Sequence, residues 1–150
     1  MIFWRDQMSV DGDVIDRDHQ HLIKIINQFD RFTADGLTLE EGLEILYSLK
    51  FYTQTHSKRE EGLMRRAYYP RYEPHRAEHR VLLERLEVIV AELQAGAGDV
   101  PLEKGAEDTS QLLQHWLIDQ VLHSDLLMRP FVDALRKAGE NLEDLSSVQG

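Results

Sequence analysis

The chain has 150 residues, 42% of them hydrophobic and 29% charged, with a net charge of -10 at pH 7 and no cysteine. That composition fits one soluble globular domain and leaves little room for a second. The acidity argues against phosphate backbones and disfavours anionic membrane surfaces as partners, and the lack of thiols excludes disulfides, thiolate metal sites and cysteine nucleophiles. "MIFW" at the N-terminus is too short for a signal-peptide core and no later stretch is long enough to span a membrane. No nucleic acid and no membrane are therefore expected, and the expected compartment is the cytoplasm.

The first fifteen or so residues read as an irregular arm, with Phe3, Trp4, Met8 and Val10 placed to pack over a core. A first helix is expected from Asp16 or Asp18, either of which can cap it, to just before Gly36. Its apolar residues Leu22, Ile25, Ile26, Phe29 and Phe32 recur at helical spacing, and one turn back the stripe meets His19. "TLEE" at 38–41 is a capping box that opens a second helix reaching about Tyr68. Its inward face reads Ile45, Leu49, Tyr52, His56, Glu60, Leu63 and Met64. "YPRYEP" breaks the chain, and Pro74 suits the first turn of a third helix. That helix carries His75, His79, Leu82, Leu83, Leu86, Val90 and Leu93 and ends near Gly96. After the loop "AGAGDVP" a fourth helix sets Leu113, Trp116, Leu117, Gln120 and Val121 on one side. Pro130 disrupts or restarts it, and a short terminal segment closes at Gly139. The expectation is an all-α, up-down-up-down four-helix bundle over residues 1–139, with the irregular arm before it and a short C-terminal helix at its end. Residues 140–150 form a polar tail, either a natural end or the start of a linker.

The informative anomaly is a set of polar residues on these apolar stripes. His56 and Glu60 are four apart on the second helix, His75 and His79 four apart on the third, and His19 continues the first stripe. Residues at i and i+4 lie side by side on one face. Burying imidazoles and a carboxylate costs free energy unless each is paired or metal-bound, and bundle cores are where facing helices build such metal sites. His19 alone would more often be a hydrogen-bonded core histidine, and each pair alone a solvated helix face. Together they read as a metal site of imidazole and carboxylate donors, suited to iron, zinc or manganese. His21 should point away from the core, and His115 should sit at its boundary. Trp116 and Leu117 pack in the core first and wall a pocket second. Tyr68, Tyr69 and Tyr72 either cap the open end of the bundle or touch a partner. No Ser occupies a nucleophile-elbow context, so no hydrolase is supported and no catalytic residue is assigned.

These residues resemble the hemerythrin family, including the bacterial hemerythrins, from Trp4 to about Asp125. "IDRDHQHL" (15–22) is similar to the family's first-helix motif, "HSKREEGLM" (56–64) to the second, and Tyr69 with "HRAEH" (75–79) to the third. Asp125 is similar to the trailing bridging aspartate. The resemblance implies two iron ions in an oxo- or hydroxo-bridged di-iron centre, with O2 as ligand. One iron would take His19 and His56 and keep a position where O2 binds as hydroperoxide. The other would take His75 and His79, and Glu60 and Asp125 would bridge. Leu22, Ser57, Trp116, Leu117 and Val121 would line the O2 pocket.

Two positions depart from the family pattern. Gln120 stands where the fourth helix normally places a histidine, four after Trp116 and five before Asp125. An amide oxygen is a harder, weaker ligand than imidazole, so Gln120 is read as a weak or water-mediated ligand or a hydrogen-bond partner only. His123 lies off the arc between Gln120 and Asp125 on an ideal helix, and only a local distortion would bring it in. Ser57 stands where the family usually has an aromatic ring, which makes the pocket wetter and favours autoxidation. The reading that follows is a non-heme di-iron protein that reversibly binds O2 or responds to O2 or redox state, more a sensor than a plain O2 store and more a binding protein than an enzyme. The alternatives are a di-iron enzyme acting on peroxide or nitric oxide, and an O2 or iron storage protein. Its partners would be O2 or a similar small diatomic ligand and a downstream signalling partner or fused domain, the chain itself being a monomer.

Overall fold

The computed structural model describes residues 1–36, 38–95, 102–119 and 123–139, with the side chains of 102–106 left aside. Among the described residues five α-helices carry the fold: α1 Val14–Asp35, α2 Leu39–Arg66, α3 Tyr72–Ala95, α4 Leu102–Asp119 and α5 Arg129–Lys137. No strand occurs among the described residues. α1 packs against α2 and α4, and α3 packs against α2 and α4, so the four long helices close a ring. This is the expected bundle. Pro130, in the first turn of α5, restarts the helix. Gln120, Val121 and the tail 140–150, all named above, lie outside the described residues.

The local signals are met with some shifts. Thr38 Oγ1 accepts from Glu41 N–H at 3.2 Å and caps α2. Gly36 ends α1 in the left-handed region, φ 93°. α1, however, begins at Val14, before either aspartate expected to cap it. Asp11 does that work instead, accepting from the backbone N–H of Ile15 at 2.9 Å and of Asp16 at 3.0 Å. Asp16 turns the other way. Its carboxylate accepts from the Val10 and Gly12 N–H groups at 2.7 and 2.8 Å and from the Ser9 hydroxyl at 2.5 Å. The two aspartates thus lock the arm onto the start of α1. Farther out, Asn27 holds Ile2 by a reciprocal pair of hydrogen bonds. Ile2, Met8 and Val10 are the arm's buried apolar residues, while Phe3, expected to pack, is 69% exposed. α2 also turns a different residue inward than expected: Thr53 is buried and Tyr52 is exposed, because a four-residue step from Leu49 returns to the core face where a three-residue step falls short at its edge.

The apolar core is divided into two clusters. One gathers Leu22, Ile26, Phe29, Leu46, Leu49, Leu86, Leu113 and Leu117. The other gathers Val10, Ile15, Leu63, Met64, Tyr69, Met128 and Val132. Along each chain segment the four buried histidines, Glu60 and Asp125 fall between members of the two. His19 lies between Ile15 and Leu22, and Thr53 to Glu60 lie between Leu49 and Leu63. His75 and His79 lie between Tyr69 and Leu86, and Asp125 lies between Leu117 and Met128. The core is therefore a polar layer held between two dry ones, which strengthens every electrostatic interaction within it.

Candidate metal centre

The polar layer consists of His19 from α1, His56 and Glu60 from α2, His75 and His79 from α3, and Asp125. All are buried, with Glu60 and Asp125 at 0% exposure. Their donor atoms form two compact groups, His19, His56, Glu60, Asp125 and Glu60, His75, His79, Asp125, with the atoms of each group within 4.8 Å of one another. Both carboxylates belong to both groups. Glu60 turns Oε1 to His75 and to His79 (3.1 Å), and Oε2 to His56 (2.9 Å) and His19 (3.7 Å). Asp125 turns Oδ1 to His75 (3.0 Å), and Oδ2 to His19 (2.7 Å) and His56 (3.9 Å). Glu60 Oε2 has close neighbours but no aligned hydrogen bond among the described residues. His19 and His56 likewise bring two Nε2 atoms within 3.1 Å. Lone pairs that converge in this way, without a donor aimed at each acceptor, suit a cation placed between them, and the nitrogen and oxygen donor set fits iron, zinc or manganese.

The outer nitrogens fix the rings. His56 Nδ1 meets Asp18 at 3.2 Å, and Arg59 in turn holds Asp18. His79 Nδ1 meets Glu61 at 3.2 Å. An Nδ1–H donated to a carboxylate leaves Nε2 as the lone-pair nitrogen that a metal needs. On the far side Tyr69 stands edge-on to His75 and to Phe131, with ring centroids 6.3 and 5.1 Å away. Tyr69 is the member of its cluster that closes this end. Tyr68 is 90% exposed and Tyr72 only partly buried.

Residues 11–132 match the family model of the hemerythrin HHE cation binding domain. The chain belongs to the hemerythrin family. Among its relatives is the bacteriohemerythrin of Stenotrophomonas maltophilia (strain R551-3), 26% identical over 125 residues that cover 83% of this chain and 77% of the relative. The bacteriohemerythrin of Pseudomonas aeruginosa (strain LESB58) is 26% identical over 141 residues, covering 94% and 86%. A crystal structure of wild-type hemerythrin has the same fold, with a TM-score of 0.75 at 24% identity over 88% of this chain and 98% of that one.

In this hemerythrin the ionisation of the layer follows from its composition. Burial pushes all four imidazoles toward the neutral form, but the carboxylates reverse that. Asp125 and Glu60 raise His19, Glu60 foremost holds His56 well above its ordinary value, Asp125 and Glu60 bring His75 to about 10, and Glu60 and Glu61 raise His79. Burial likewise works to raise both acids. His56, His19 and His75 nonetheless hold Glu60 well below the usual carboxylate range, and the same imidazoles bring Asp125 to about 2 despite the charge of Glu60. Without metal the carboxylates favour the protonated form of the imidazoles, where bound cations would supply the positive charge.

A small cavity opens beside His19 and His56, with room for about one water-sized guest (about 10 Å³). Leu22, Thr53, Ser57, His79, Leu82, Trp116 and Leu117 border it. A larger groove of about 590 Å³ lies over α2 and α3; His79 borders both spaces, while His19, His56 and Asp125 border the small one. His123 is not part of the layer. A π-helical turn at 123–124 does distort the chain there, yet the His123 side chain is 72% exposed and pairs with Asp119 at 3.1 Å. His21 is exposed against Tyr52, and His115 is exposed rather than at a boundary. Sequence reasoning missed Thr53, Asp18 as an orienting carboxylate, and Glu61. The signal for Asp18 was its place directly before His19 on α1, the helix that packs against the one carrying His56.

Proposed function

We propose that this hemerythrin holds two irons and binds O2 reversibly or reports O2 or redox state, with His19, His56, Glu60 and Asp125 on one iron and His75, His79, Glu60 and Asp125 on the other. The observation that carries the reading is the sharing of Glu60 and Asp125 between two buried histidine pairs, with each carboxylate giving one oxygen to either side. When bound, two irons together supply the two electrons that O2 accepts. The chain's own residues do the rest. Neutral imidazoles and paired carboxylates tolerate both iron oxidation states, Asp18 and Glu61 hold ring orientation, and Leu22, Trp116 and Leu117 keep bulk water from the cavity. Gln120 supports a responsive rather than a storage role, since its place in the sequence gives the His75–His79 side a weaker fifth donor.

The test is iron stoichiometry together with absorption spectra of the reduced, O2-exposed and oxidised protein, for the wild type and Gln120→His. The expected result is near two irons per chain and slower autoxidation in the variant. One iron per chain would overturn the shared-carboxylate assignment, and an unchanged autoxidation rate would overturn the role given to Gln120. Steady turnover of peroxide or nitric oxide under reducing conditions would move the reading to an enzyme.

A further inference from the structure

The chain's positive charge is unevenly spread. Residues 58–85 hold eight of its 17 Lys and Arg but only five of its 27 Asp and Glu, one of which is the buried Glu60. In an otherwise acidic protein the turn from α2 to α3, with the helix ends that flank it, is therefore locally basic. The groove of about 590 Å³ over α2 and α3 lies along this stretch, and its volume is that of a small-molecule site. Lys58 and Arg65, two turns apart on α2, border it from one helix, and Arg76 and Arg80, one turn apart on α3, border it from the other. Lys58, Arg65 and Arg80 have no ion-pair partner among the described residues. Of the three acids that border the groove, Glu61 is engaged with Arg76 and His79 and Glu87 with Lys50, which leaves Glu84. Tyr72 and Leu83, both half-buried, add apolar surface to the lining. The groove also touches the metal centre. His79 borders it, and so does the pair that holds His79: Glu61 Oε2 meets His79 Nδ1 at 3.2 Å, and Glu61 Oε1 meets Arg76 Nε at 3.4 Å.

We infer that the groove between α2 and α3 binds an organic phosphate, whose charge is met by Lys58, Arg65, Arg76 and Arg80, and that Arg76, Glu61 and His79 couple its occupancy to the metal centre. Arginine forks match the geometry of phosphate oxygens, and four cations on two helices suit a dianion. The apolar part of the lining calls for a body on the ligand as well as a charge. The Arg76 side chain is 59% exposed and can turn from Glu61 to such a ligand. Glu61 is then left to His79 alone, which makes that imidazole a stronger donor and tightens iron on its side. The coupling rests on the metal-centre reading, whereas the groove site stands without it.

The experiment is calorimetric titration of the purified full chain with adenosine monophosphate and flavin mononucleotide, and with adenosine, riboflavin and inorganic phosphate as the separated parts. At least one of the two nucleotides is expected to bind about tenfold tighter than its phosphate-free counterpart and than inorganic phosphate. Replacing Lys58 and Arg80 together by Gln should weaken it about tenfold, and added salt should weaken it further. Lys24→Gln, which removes an exposed cation of α1 outside the groove, should change nothing. Competition with a chelator then reads the coupling: the saturating nucleotide should tighten iron about two- to fivefold in the wild type, and leave it unchanged in Glu61→Gln, which still binds the nucleotide. Neither nucleotide binding better than its phosphate-free counterpart overturns the site, as does a Lys58 and Arg80 double variant that binds like the wild type. Nucleotide binding with unchanged iron affinity overturns the coupling. A wild-type protein that binds the nucleotide but takes up no iron overturns the metal-centre reading and leaves the groove site standing.

Discussion

Glu60 and Asp125 divide their oxygens in the same way: each faces His75 with one oxygen and the His19–His56 pair with the other. Two acids this close would repel each other, and the charge of Glu60 does work to raise Asp125. They stay ionised because four imidazoles surround them. Each acid is thus held by both histidine pairs, and neither pair is complete without both acids.

Glu60→Gln should therefore damage both halves of the site. Iron content is expected to fall from about two per chain to one or fewer. The metal-free variant should lose about 3 kcal/mol of stability, as when one partner of a buried ionic cluster is removed. His123→Ala, which alters an exposed ion pair, should change neither quantity. Metal analysis and denaturant titration read both. Full iron content in Glu60→Gln would refute the shared-carboxylate geometry.

Asp18 reaches the centre only through His56. Asp18→Asn keeps the size but removes the charge that orients Nδ1–H, and is expected to weaken iron binding about 10- to 100-fold. Competition with a chromophoric chelator measures this. Arg59→Gln, which frees Asp18 without removing it, should have a smaller effect. Equal losses in the two variants would mean that the Arg59 pairing, rather than the Asp18–His56 contact, matters.

The pH dependence of the metal-free protein has a definite sign. All four histidine values are raised from 6.5, so their contribution to stability is complete below about 6.5 and fades as pH rises through the shifted values, for His75 about 10. The acids are depressed, so their contribution is present above about 4 and fades as pH falls through the shifted values, for Asp125 about 2. As far as this layer decides it, the metal-free protein should be most stable between about pH 4 and 6.5. Iron binding runs the other way, because it needs neutral imidazoles, so uptake should release protons and tighten as pH rises. Denaturant midpoints and proton release on iron addition test both halves. A flat midpoint from pH 5 to 9 in the metal-free protein would contradict the protonated layer.

Tyr68 sits between α2 and α3 with φ 52° and 90% of its surface exposed. An L-residue in that conformation is strained by about 1–2 kcal/mol, while glycine there adds unfolded-state entropy of about 0.5–1 kcal/mol. Tyr68→Gly should thus raise stability by about 0.5 kcal/mol with iron content unchanged. A loss of more than about 1 kcal/mol would show that the exposed ring makes a contact worth more than the strain.

The four helices and the five polar residues on their inner faces were legible in the sequence because a 3.6-residue period marks buried positions whatever their chemistry, whereas Asp125, on a 3-10 turn, was marked only by the resemblance to the family. His19, His56, Glu60, His75 and His79 each continue an apolar stripe. What escaped lies at the edges of that period. Tyr52 and Thr53 are adjacent, and the larger, more apolar residue was the natural choice for the core, yet the helix turns Thr53 inward. Asp18 and Glu61 sit on half-buried flanks, where an acid that orients an imidazole has the same local pattern as one that is merely solvated. Asp11 and Asp16 exchange capping roles because the arm folds back, and no local pattern encodes that return. Gln120 remains a reading of the family resemblance alone.

Asp125 differs from the other five donors in its support. They rise from the interiors of long helices, whereas Asp125 opens a short 3-10 turn, Asp125–Met128, that joins directly to α5. From that turn Met128 and from α5 Val132 reach the cluster that also holds Ile15, Leu63 and Tyr69. The C-terminal helix is in this sense the handle of a latch whose bolt is one carboxylate. A displacement of α5 pulls on both halves of the centre at once, and a change in the grip on Asp125 is passed to α5 over a lever only a few residues long.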